Sequence, residues 1–492
     1  MIAAAEFVRP ADMPLLDRLA QLGVPLADLV ADSRSVKLGS TFVAYPGTAQ
    51  DGRAYIAEAI ASGAAAVLWE KTGFRWNEAW EIPNLGVEDL RSRISEIAGH
   101  VYGNPSESLW MAGVTGTNGK TSVSQWIAAA LDRAGRRSAV IGTLGNGLVG
   151  ERTEAKNTTP DPIVLQRLLA EYLRRGARNV AMEVSSHGLD QGRVSGIKYD
   201  AAIFTNLTRD HLDYHGSMEA YAEAKAKLFT AHGLQHRIVN VDDEFGRELA
   251  KRFPGAVTYA TRGKARILAS SIVLSDAGVR FNVESEWGCG EVRAGVLGAF
   301  NVSNLLAVLA TLVAAGLSLD QAIAAVATLD PVPGRLERVG GGALPLVVVD
   351  YAHTPDALEK ALDALRPAVA AGHRLLCVFG CGGDRDPGKR PLMAAVASRL
   401  ADHVIVTSDN PRGEKPAAII DQVMAGIRGD AEAIEDRQVA IFSAVHHATP
   451  GDVVLLAGKG HETYQEIAGV RHPFDDRQVA RAALDDWQRG AR

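Results

Sequence analysis

Short apolar runs rich in Val, Ile and Leu alternate with helix-like segments along most of this 492-residue chain. Clear examples are LWMAGVTG (109–116), NVAMEVS (179–185), LPLVVVD (344–350) and HVIVTS (403–408). Such alternation is typical of α/β folds with largely parallel sheets. Open parallel sheets bind ligands at the carboxyl ends of their strands. The pattern therefore predicts the fold class and the edges where function is expected.

The rhythm of strands and helices divides the chain into three parts. A length of 492 residues predicts roughly three domains at about 150 residues each. We predict a smaller N-terminal α/β domain over 1–88 and a central P-loop-type ATPase domain with a parallel sheet over 89–333. A Rossmann-like α/β domain is predicted over 334–492, because the rhythm breaks near Pro331, Pro333 and Gly334.

Composition excludes several classes of protein. Hydrophobic residues make up 47% and charged residues 22%, and the net charge of −6 argues against a basic nucleic-acid-binding surface. The chain has three cysteines, so neither a disulfide framework nor a zinc site is expected, which fits a reducing cytosol. The opening MIAAAEFVRPADM predicts no signal peptide, and no apolar run approaches the ~20 residues of a membrane span. A cytoplasmic enzyme is expected.

The segment TGTNGKT (115–121) lies between a predicted strand and a predicted helix. Glycines let backbone amides approach phosphate oxygens, Lys120 adds charge, and the Thr121 hydroxyl can reach Mg²⁺. The usual phosphate loop has glycine where this chain has Val114, so the loop is a variant. A plain glycine-rich turn with a surface lysine is the alternative. The flanking strand and helix favour nucleotide binding.

A second glycine pattern, GNGLVG (145–150), matches G-x-G-x-x-G. It is followed by ERTEAKN, which is not an apolar helix, so it lacks the context of a dinucleotide-binding turn. We predict a hairpin or loop there.

Further candidate ligands follow the central strands. Glu183 ends a strand, where a carboxylate can approach Mg²⁺. His211 and His215 have a spacing that suits zinc, but no third ligand is evident. We expect His211, nearer its strand, to face the site.

The helix over 217–231 carries an unusual lysine. Ser217 is the expected N-cap, and Lys225 falls on the apolar stripe, whereas Lys227 falls on the opposite face. A buried amine with a lowered pKa can capture CO₂ as a carbamate and become a metal ligand. The alternative is a lysine whose stem reaches water, and the residues alone favour that alternative.

Ten segments occur in an order that resembles the Mur ligases, ATP-dependent amide-forming enzymes of peptidoglycan precursor synthesis. The segments are GTNGKTS, NTTP, MEVSSHGL, NLTRDHLDYHG, EAKAKLF, GRLE, DYAHTPDAL, FGCGGDRDPGKRP, SDNPR and GKGHE, over about 110–465. DSR at Asp32–Arg34 extends the resemblance into the first part of the chain. Within the family the resemblance is strongest to members that add the third amino acid of the peptide.

The resemblance implies substrates and residue roles. The substrates would be ATP, UDP-MurNAc-L-Ala-D-Glu and meso-diaminopimelate, with two Mg²⁺ ions, and the enzyme would act as a monomer without nucleic acid or a membrane anchor. The residues carried over for catalysis and Mg²⁺ are Lys120, Thr121, Glu183, His211 and Lys225, the last as a carbamate. Those for ATP are Thr115, Gly116, Thr117, Asn118, Gly119, Lys120, Thr121, Asn301, Asn304, Arg335 and His353. Those for the UDP-muramoyl-dipeptide are Ser33, Asn157, Thr158, Thr159, Ser185, Gln191 and Arg193. Those for the incoming amino acid are Arg385, Asp409, Asn410, Pro411, Arg412, Gly458 and Glu462.

Three alternative functions remain beside the Mur ligase interpretation. Folylpolyglutamate synthetase resembles the Mur ligases, but NTTP, VSSH and DNPR favour a muramoyl substrate. An enzyme that adds L-lysine would keep the same substrate but lack the arginine of DNPR, which can grip a distal carboxylate. A P-loop switch would not need the second set of polar strand ends. We therefore expect one active site between two domains, closed by movement of the C-terminal domain.

Overall fold

The computed structural model describes residues 15, 19, 26–47, 50–155 and 157–490. The opening segment, for which no signal peptide is expected, lies mostly outside these residues. The chain forms two compact units, one from Met1–Lys120 and Gly135–Arg237, the other from Thr121–Ala134 and Ile238–Arg492. The three domains predicted from sequence stay a prediction.

The N-terminal part of the first unit is a small parallel sheet in the order β1-β2-β3-β4. Its strands are β1 (Leu29–Val30), β2 (Thr41–Ala44), β3 (Ala66–Glu70) and β4 (Asn84–Val87). Its helices are α1 (Ile56–Ala61) and α2 (Leu90–Val101). Apolar side chains of β2 and β3 alternate between two cores, with Val43 and Leu68 against α2 and Phe42 and Val67 against α1. This period of two is what a sheet covered on both faces requires.

The rest of the first unit is built on six neighbouring strands in the order β8-β7-β6-β9-β5-β10. They are β5 (Trp110–Thr115), β6 (Ser138–Gly142), β7 (Gly145–Leu148), β8 (Glu151–Thr153), β9 (Asn179–Glu183) and β10 (Ala201–Phe204). Helix α3 (Lys120–Arg133) follows β5 in sequence but belongs to the second unit from Thr121 onwards. The helices of this part of the first unit are α4 (Pro162–Arg174), α5 (Ser186–Asp190), α6 (Leu212–His215) and α7 (Met218–Ala226). Strands β10, β5, β9 and β6 are parallel, so their polar ends meet at one edge.

Two local predictions for this region are confirmed. The GNGLVG segment forms an antiparallel hairpin, in which β7 pairs with β6 and β8. The Ser217 hydroxyl caps α7 by accepting a hydrogen bond from the Ala220 amide at 3.2 Å. The helix ends at Ala226 and continues as a 3₁₀ turn over Lys227–Thr230, so it is shorter than predicted.

The second unit contains the run β11-β12-β13-β14-β15. Its strands are β11 (His236–Asn240), β12 (Val257–Ala260), β13 (Ile267–Ser275), β14 (Gly278–Ser285) and β15 (Gly288–Ala294), and its helices are α8 (Glu244–Arg252), α9 (Ala299–Ala314) and α10 (Leu319–Ala327). Strands β13 to β15 form an antiparallel meander. The expected strand–helix alternation is wrong over this stretch. In β14, Val279, Phe281 and Val283 are buried and alternate with exposed residues, the pattern of hairpin strands with one covered face.

The C-terminal sheet of the second unit has the order β16-β17-β21-β18-β19-β20. Its strands are β16 (Glu337–Gly340), β17 (Leu346–Asp350), β18 (Leu375–Phe379), β19 (His403–Val406), β20 (Glu432–Ala433) and β21 (Val453–Ala457), and a separate hairpin is formed by β22 (Tyr464–Ile467) and β23 (Val470–Pro473). Its helices are α11 (Pro355–Leu365), α12 (Lys389–Leu400), α13 (Pro416–Met424), α14 (Arg437–His447) and α15 (Asp476–Gly490). All pairs except β16–β17 are parallel, as the Rossmann-like prediction requires.

Helices cover both faces of the C-terminal sheet. Residues of α11 to α13 pack on one face, and residues of α14 and α15 pack on the other. In the described part of the chain, none of the helices combines the length and apolar content of a membrane crossing.

Candidate functional site

The loop after β5 is held in place by the segment that follows β10. The amide of Thr117 donates to the Asn206 carbonyl at 2.8 Å, and the amide of Asn118 donates to Asn206 Oδ1 at 3.0 Å. Thr205 Oγ1 donates to the Asn118 carbonyl at 2.6 Å. Gly116 has φ +148°, and a Cβ there would lie 1.9 Å from Thr205 Oγ1, so only glycine fits.

Two lysine amines meet at one carbonyl of this loop. Lys120 Nζ donates to the carbonyls of Gly116 and Thr117 at 2.9 and 2.8 Å, and Lys225 Nζ also donates to Gly116 at 2.8 Å. The residue Lys225 is 1% exposed, and its amine lies 4.3 Å from the centre of the Tyr221 ring. Burial and, after it, the charge of Lys120 hold the pKa of the Lys225 amine well below its usual range. The alternative in which Lys225 reaches water is therefore wrong.

A cavity of about 310 Å³ opens beside these lysines. Its size falls at the lower end of small-molecule sites, which span ~300–1,000 Å³. Eight of the predicted site residues line it: Lys120, Asn157, Thr158, Thr159, Ser185, Arg193, His211 and Lys225. Three lining residues were given no role in the site from sequence: Ser186, His187 and Tyr221. Two of these lie in MEVSSHGL, directly after Ser185, so the polar character of that strand end was an available signal.

Glu183 is fixed at the end of β9. The residue is 1% exposed, its Oε1 accepts a hydrogen bond from the Thr143 amide at 2.8 Å, and its Oε2 accepts one from Thr143 Oγ1 at 3.2 Å. A Cβ at Gly142 would lie 2.2 Å from Glu183 Oε1, so the neighbouring strand must carry glycine there. The carboxylate is thus held in one orientation.

His211 lies among other aromatic side chains at the cavity. It has φ +52°, a left-handed conformation that is uncommon outside glycine, and it directly precedes α6. Its ring centre lies 4.9 Å from that of His187. Burial first, and then the neighbouring histidines, lower the pKa of His187. His215 Nε2 instead contacts Ser186 Oγ at 3.0 Å.

A chain of hydrogen bonds orients the polar groups predicted to hold the second substrate. Arg193 donates through Nε and Nη2 to Gln191 Oε1 at 3.0 and 2.6 Å, and through Nη1 to the Thr159 carbonyl at 2.8 Å. Gln191 in turn donates to the Tyr214 hydroxyl at 3.2 Å. The Thr159 hydroxyl accepts from the Ser185 amide at 2.9 Å. Gln191 thus reaches the cavity through Arg193.

Other predicted residues lie apart from this cavity lining. Ser33 is 8% exposed in a 3₁₀ turn that is capped by the side chain of Asp32. In the second unit, Asn304 Nδ2 donates to Asn301 Oδ1 at 2.9 Å, so two of the proposed ATP residues bond to each other. The other two proposed ATP residues, Arg335 and His353, lie next to Tyr351. The centre of the Tyr351 ring lies 5.3 Å from the Arg335 guanidinium and 4.8 Å from the centre of the His353 ring.

A second polar cluster lies at the carboxyl edge of the C-terminal sheet. Asn410, which follows β19, donates through Nδ2 to Glu462 Oε2 at 2.8 Å. A Cβ at Gly458 would lie 2.4 Å from Asp409 Oδ2, so the end of β21 packs directly against that carboxyl. Burial raises the pKa of Asp409, and the charges of Arg437 and Lys459 oppose the rise. These predicted residues come together from two strands.

Arg412 occupies a constrained position in the same cluster. Its φ is +50°, and Nη1 donates to the Gly383 carbonyl at 2.9 Å, while Nε lies 3.6 Å from Glu466 Oε2. A Cβ at Gly382 would lie 2.8 Å from Arg412 Nη1 and 3.8 Å from Arg385 Cγ, so the two predicted arginines lie side by side. Pro411 precedes the left-handed residue and restricts the backbone there.

Lys459 is a site residue that the sequence argument missed. It is 0% exposed, and its amine donates to Asn410 Oδ1 at 3.1 Å and to Glu462 Oε2 at 3.2 Å. It therefore links the two predicted amino-acid-binding side chains to each other. The sequence indicated Lys459 only by its position in GKGHE, between Gly458 and Glu462. A lysine in such a loop is normally expected at the surface, and only the structure shows that this one is buried.

Arg437 joins the two strand ends that support this cluster. The Arg437–Asp476 pair is completely buried and bidentate, with N···O distances of 2.8 and 2.6 Å. The guanidinium also donates to the carbonyls of Ser408 at 3.3 Å and Ala457 at 3.1 Å. These carbonyls immediately precede Asp409 and Gly458, so one side chain fixes both segments.

Replacing Arg437 by methionine is expected to destabilise the protein by about 3–5 kcal/mol, because it leaves the Asp476 carboxylate buried without its partner. The midpoint of urea unfolding, followed by circular dichroism, measures the change. The double variant Arg437→Met/Asp476→Leu should recover much of the loss, since both charges are then removed. Equal destabilisation in the single and double variants would contradict this account.

Comparison with known protein families now defines the class. Residues 27–102 match the Mur ligase family catalytic domain, residues 114–312 the Mur ligase middle domain, and residues 334–460 the Mur ligase glutamate ligase domain. The chain belongs to the Mur ligase family.

Particular relatives share one name. The chain is 54% identical over 476 residues to the UDP-N-acetylmuramoyl-L-alanyl-D-glutamate–2,6-diaminopimelate ligase of Chromobacterium violaceum, covering 95% of this chain and 96% of the relative. It is 52% identical over 474 residues to the enzyme of that name from Pseudomonas aeruginosa, covering 95% and 97%. A solved structure of a ligase of the same name superposes with a TM-score of 0.72 at 40% identity, covering 94% of this chain and 96% of that structure.

Proposed function

We propose that the protein joins meso-2,6-diaminopimelate to the D-Glu γ-carboxylate of UDP-MurNAc-L-Ala-D-Glu and converts ATP to ADP and phosphate. The observation that carries the reaction type is the convergence of Lys120 and Lys225 on the Gly116 carbonyl, in a cavity lined by eight predicted residues. The substrates follow from the names of relatives that match 95% of the chain. The protein acts in the cytoplasm, as a monomer and without nucleic acid.

The ATP phosphates bind at the loop that precedes α3. The N-terminus of that 14-residue helix favours anions, and the ammonium group of Lys120 adds a positive charge. Loop residues Thr115 to Thr121 surround the phosphates, and Asn301, Asn304, Arg335 and His353 contact the nucleoside.

The donor set at the cavity fits Mg²⁺, which prefers oxygen ligands and substrate phosphates. Glu183 presents a buried, oriented carboxylate. The Thr121 hydroxyl, His211 and a carbamate on Lys225 complete the residues that would hold two ions. Bound Mg²⁺ would neutralise charge on the transferring phosphoryl group.

The carbamate forms when the lone pair of the neutral Lys225 amine attacks the carbon of CO₂. A C–N bond forms, one C=O π bond breaks to leave the electron pair on oxygen, and a nitrogen proton passes to water, so a neutral amine becomes an anionic N-carboxylate. A lowered pKa of Lys225 supports this step, because only the unprotonated amine has the lone pair that attacks. The charge of the nearby Lys120 would then stabilise the product instead of opposing it.

The reaction proceeds in two steps. A γ-carboxylate oxygen of D-Glu attacks the γ-phosphorus of ATP, and the bond to ADP breaks. The neutral amine of diaminopimelate then attacks the acyl-phosphate carbon, and phosphate leaves. Lys120 stabilises charge on the phosphoryl oxygens, while Asn157, Thr158, Thr159, Ser185, Gln191 and Arg193 orient the muramoyl dipeptide and Ser33 contacts its uridine.

The incoming amino acid binds at the second polar cluster. Arg412 and Arg385 grip its distal carboxylate, with paired hydrogen bonds from the Arg412 guanidinium. Asp409, Asn410 and Glu462 receive the adjacent ammonium group, and Pro411 and Gly458 shape the backbone around it. L-Lysine lacks the carboxylate that this arrangement would recognise.

Phosphate release with purified protein, ATP, Mg²⁺ and UDP-MurNAc-L-Ala-D-Glu tests the proposal. We expect release that depends on meso-diaminopimelate and exceeds the rate with L-lysine by at least about 100-fold, since loss of one carboxylate contact costs several kcal/mol. Omitting the muramoyl substrate is the control. Equal rates with L-lysine or L-glutamate would refute the assigned substrate, and release that is independent of any amino acid would refute ligation.

A further inference from the structure

Three metal-ligating side chains converge on the C-terminal sheet, away from the residues assigned above. The ligand atoms of His403, Glu432 and His447 all lie within 4.8 Å of one another. His403 begins β19, Glu432 begins β20, and His447 ends α14.

Two of these residues lie on the same face of the sheet. Glu432 pairs with Ile405, and His403 lies two residues before Ile405, so the side chains of His403, Ile405 and Glu432 point to the same side. Ile405 packs against Ala440, Ile441, Ala444 and Val445 of α14. The helix that covers this face therefore carries its last residue, His447, to the edge where His403 and Glu432 lie.

The contact between His403 and Glu432 is not an ordinary hydrogen bond. His403 Nε2 lies 3.0 Å from Glu432 Oε1. This nitrogen is nevertheless buried and has no hydrogen-bond partner among the described residues, because the carboxylate oxygen is not in the direction of an N–H bond. An imidazole nitrogen and a carboxylate oxygen that lie close together without a hydrogen bond between them have the arrangement of two ligand atoms of one ion.

We propose that His403, Glu432 and His447 form a site for a zinc ion. Two imidazoles and one carboxylate suit Zn²⁺, whereas Mg²⁺ prefers oxygen ligands. Bonds of ~2.0–2.1 Å place neighbouring ligand atoms of a tetrahedral zinc about 3.3 Å apart. The three ligand atoms, which lie within 4.8 Å of one another, would move closer to reach this value, and water would supply the fourth ligand. The ion would fasten the edge strands β19 and β20 to the end of α14.

The His403–His447 ring separation of 6.2 Å agrees with two imidazoles that approach one ion from different directions, since the rings are inclined by 76°. Ser443 Oγ lies 3.5 Å from His447 Nδ1, on the same turn of α14, and can orient that ring. Arg374 donates to the carbonyl of His447, so its charge is engaged with backbone.

Zinc binding is tested by competitive titration of the full-length protein against a chromogenic chelator, with Co²⁺ absorption as a spectroscopic probe. We expect one equivalent bound per chain, with affinity at least about tenfold lower in His403→Gln, Glu432→Gln and His447→Gln. Zinc should also raise the midpoint of thermal unfolding of the wild type and leave that of His447→Gln unchanged.

His446→Gln is the matched control, because this neighbour on α14 pairs with Asp486 instead. His211→Gln controls for zinc bound at the cavity beside Lys120 and Lys225. Both should bind zinc as the wild type does. Unchanged affinity in both His403→Gln and His447→Gln, a loss equally large in His446→Gln, or no stoichiometric binding would overturn the site.

Discussion

Replacing Lys225 by alanine is expected to lower kcat for ligation by about 10²–10³ or more, the loss typical of removing a group that stabilises charge in the transition state. The structure supports a specific reason. The amine is buried and shares the Gly116 carbonyl with Lys120, so the proposed carbamate would place a negative charge beside the Lys120 ammonium group and would supply a metal ligand. The phosphate-release assay measures the change.

Two further variants separate the carbamate from a simple positive charge. Lys225→Arg retains a cation that cannot react with CO₂ at neutral pH, so it should be as inactive as the alanine variant. Lys227→Ala is the matched control, since Lys227 lies two residues away in an exposed ion pair with Asp190 and such pairs contribute only ~0–1 kcal/mol. Circular dichroism should show an intact fold in all three.

Carbamate formation can also be observed directly. Protein equilibrated with ¹³C-bicarbonate should show a carbamate carbon resonance that is missing in Lys225→Ala and present in Lys227→Ala. Near-normal turnover by Lys225→Arg, together with no such resonance in the wild type, would remove the carbamate from the mechanism.

The sheet edge that carries the candidate site could be predicted from sequence, because strands covered on both faces are apolar and polar residues follow them at their carboxyl ends. The order β10-β5-β9 brings together the segments after Thr115, Glu183 and Phe204, whose apolar runs and polar ends are legible in the sequence. Helical spacing placed Lys225 on the same face as Tyr221, but the residues alone favoured a lysine whose stem reaches water, and the structure shows instead that it is buried.

Side-chain partners distant in the chain could not be predicted in this way. Asn410 and Glu462 are 52 residues apart, and their hydrogen bond depends on how two loops bend after two different strands. Burial of Lys459 follows from the same bends. The pairing of Arg437 with Asp476 joins the starts of two helices, and neither sequence position indicates its partner. Periodicity identifies a face of an element, but it does not identify the atom that will lie opposite.

The meander over β13 to β15 shows a different limit. Val279, Phe281 and Val283 of β14 carry the period of two that predicts a strand with one covered face, yet the surrounding strand–helix alternation favoured a continued α/β pattern. Local periodicity was the better guide there, because an antiparallel pair needs only a short turn and no crossover helix.

Replacing Arg412 by alanine is expected to raise KM for meso-diaminopimelate by about 30-fold or more, corresponding to at least ~2 kcal/mol for an oriented charge-assisted contact, while KM for ATP changes little. The Gly383 carbonyl and Glu466 hold the guanidinium beside Arg385. Alanine, like arginine, is an L-residue with a Cβ, so the cost of φ +50° is similar in both and the side chain accounts for the difference.

Three comparisons make the Arg412 result specific for substrate choice. Arg412→Lys keeps the charge but loses the paired geometry, so its KM should fall between those of the wild type and the alanine variant. Arg399→Ala, which removes an exposed arginine paired with Glu359, should match the wild type. The slow reaction with L-lysine should be nearly unaffected in Arg412→Ala, because this substrate has no distal carboxylate to lose. The ratio of kcat/KM for meso-diaminopimelate to kcat/KM for L-lysine must therefore fall, and the whole decrease must come from the value for meso-diaminopimelate. If KM for ATP rose while that ratio stayed constant, Arg412 would belong to the nucleotide site and the amino-acid pocket would have to be placed elsewhere.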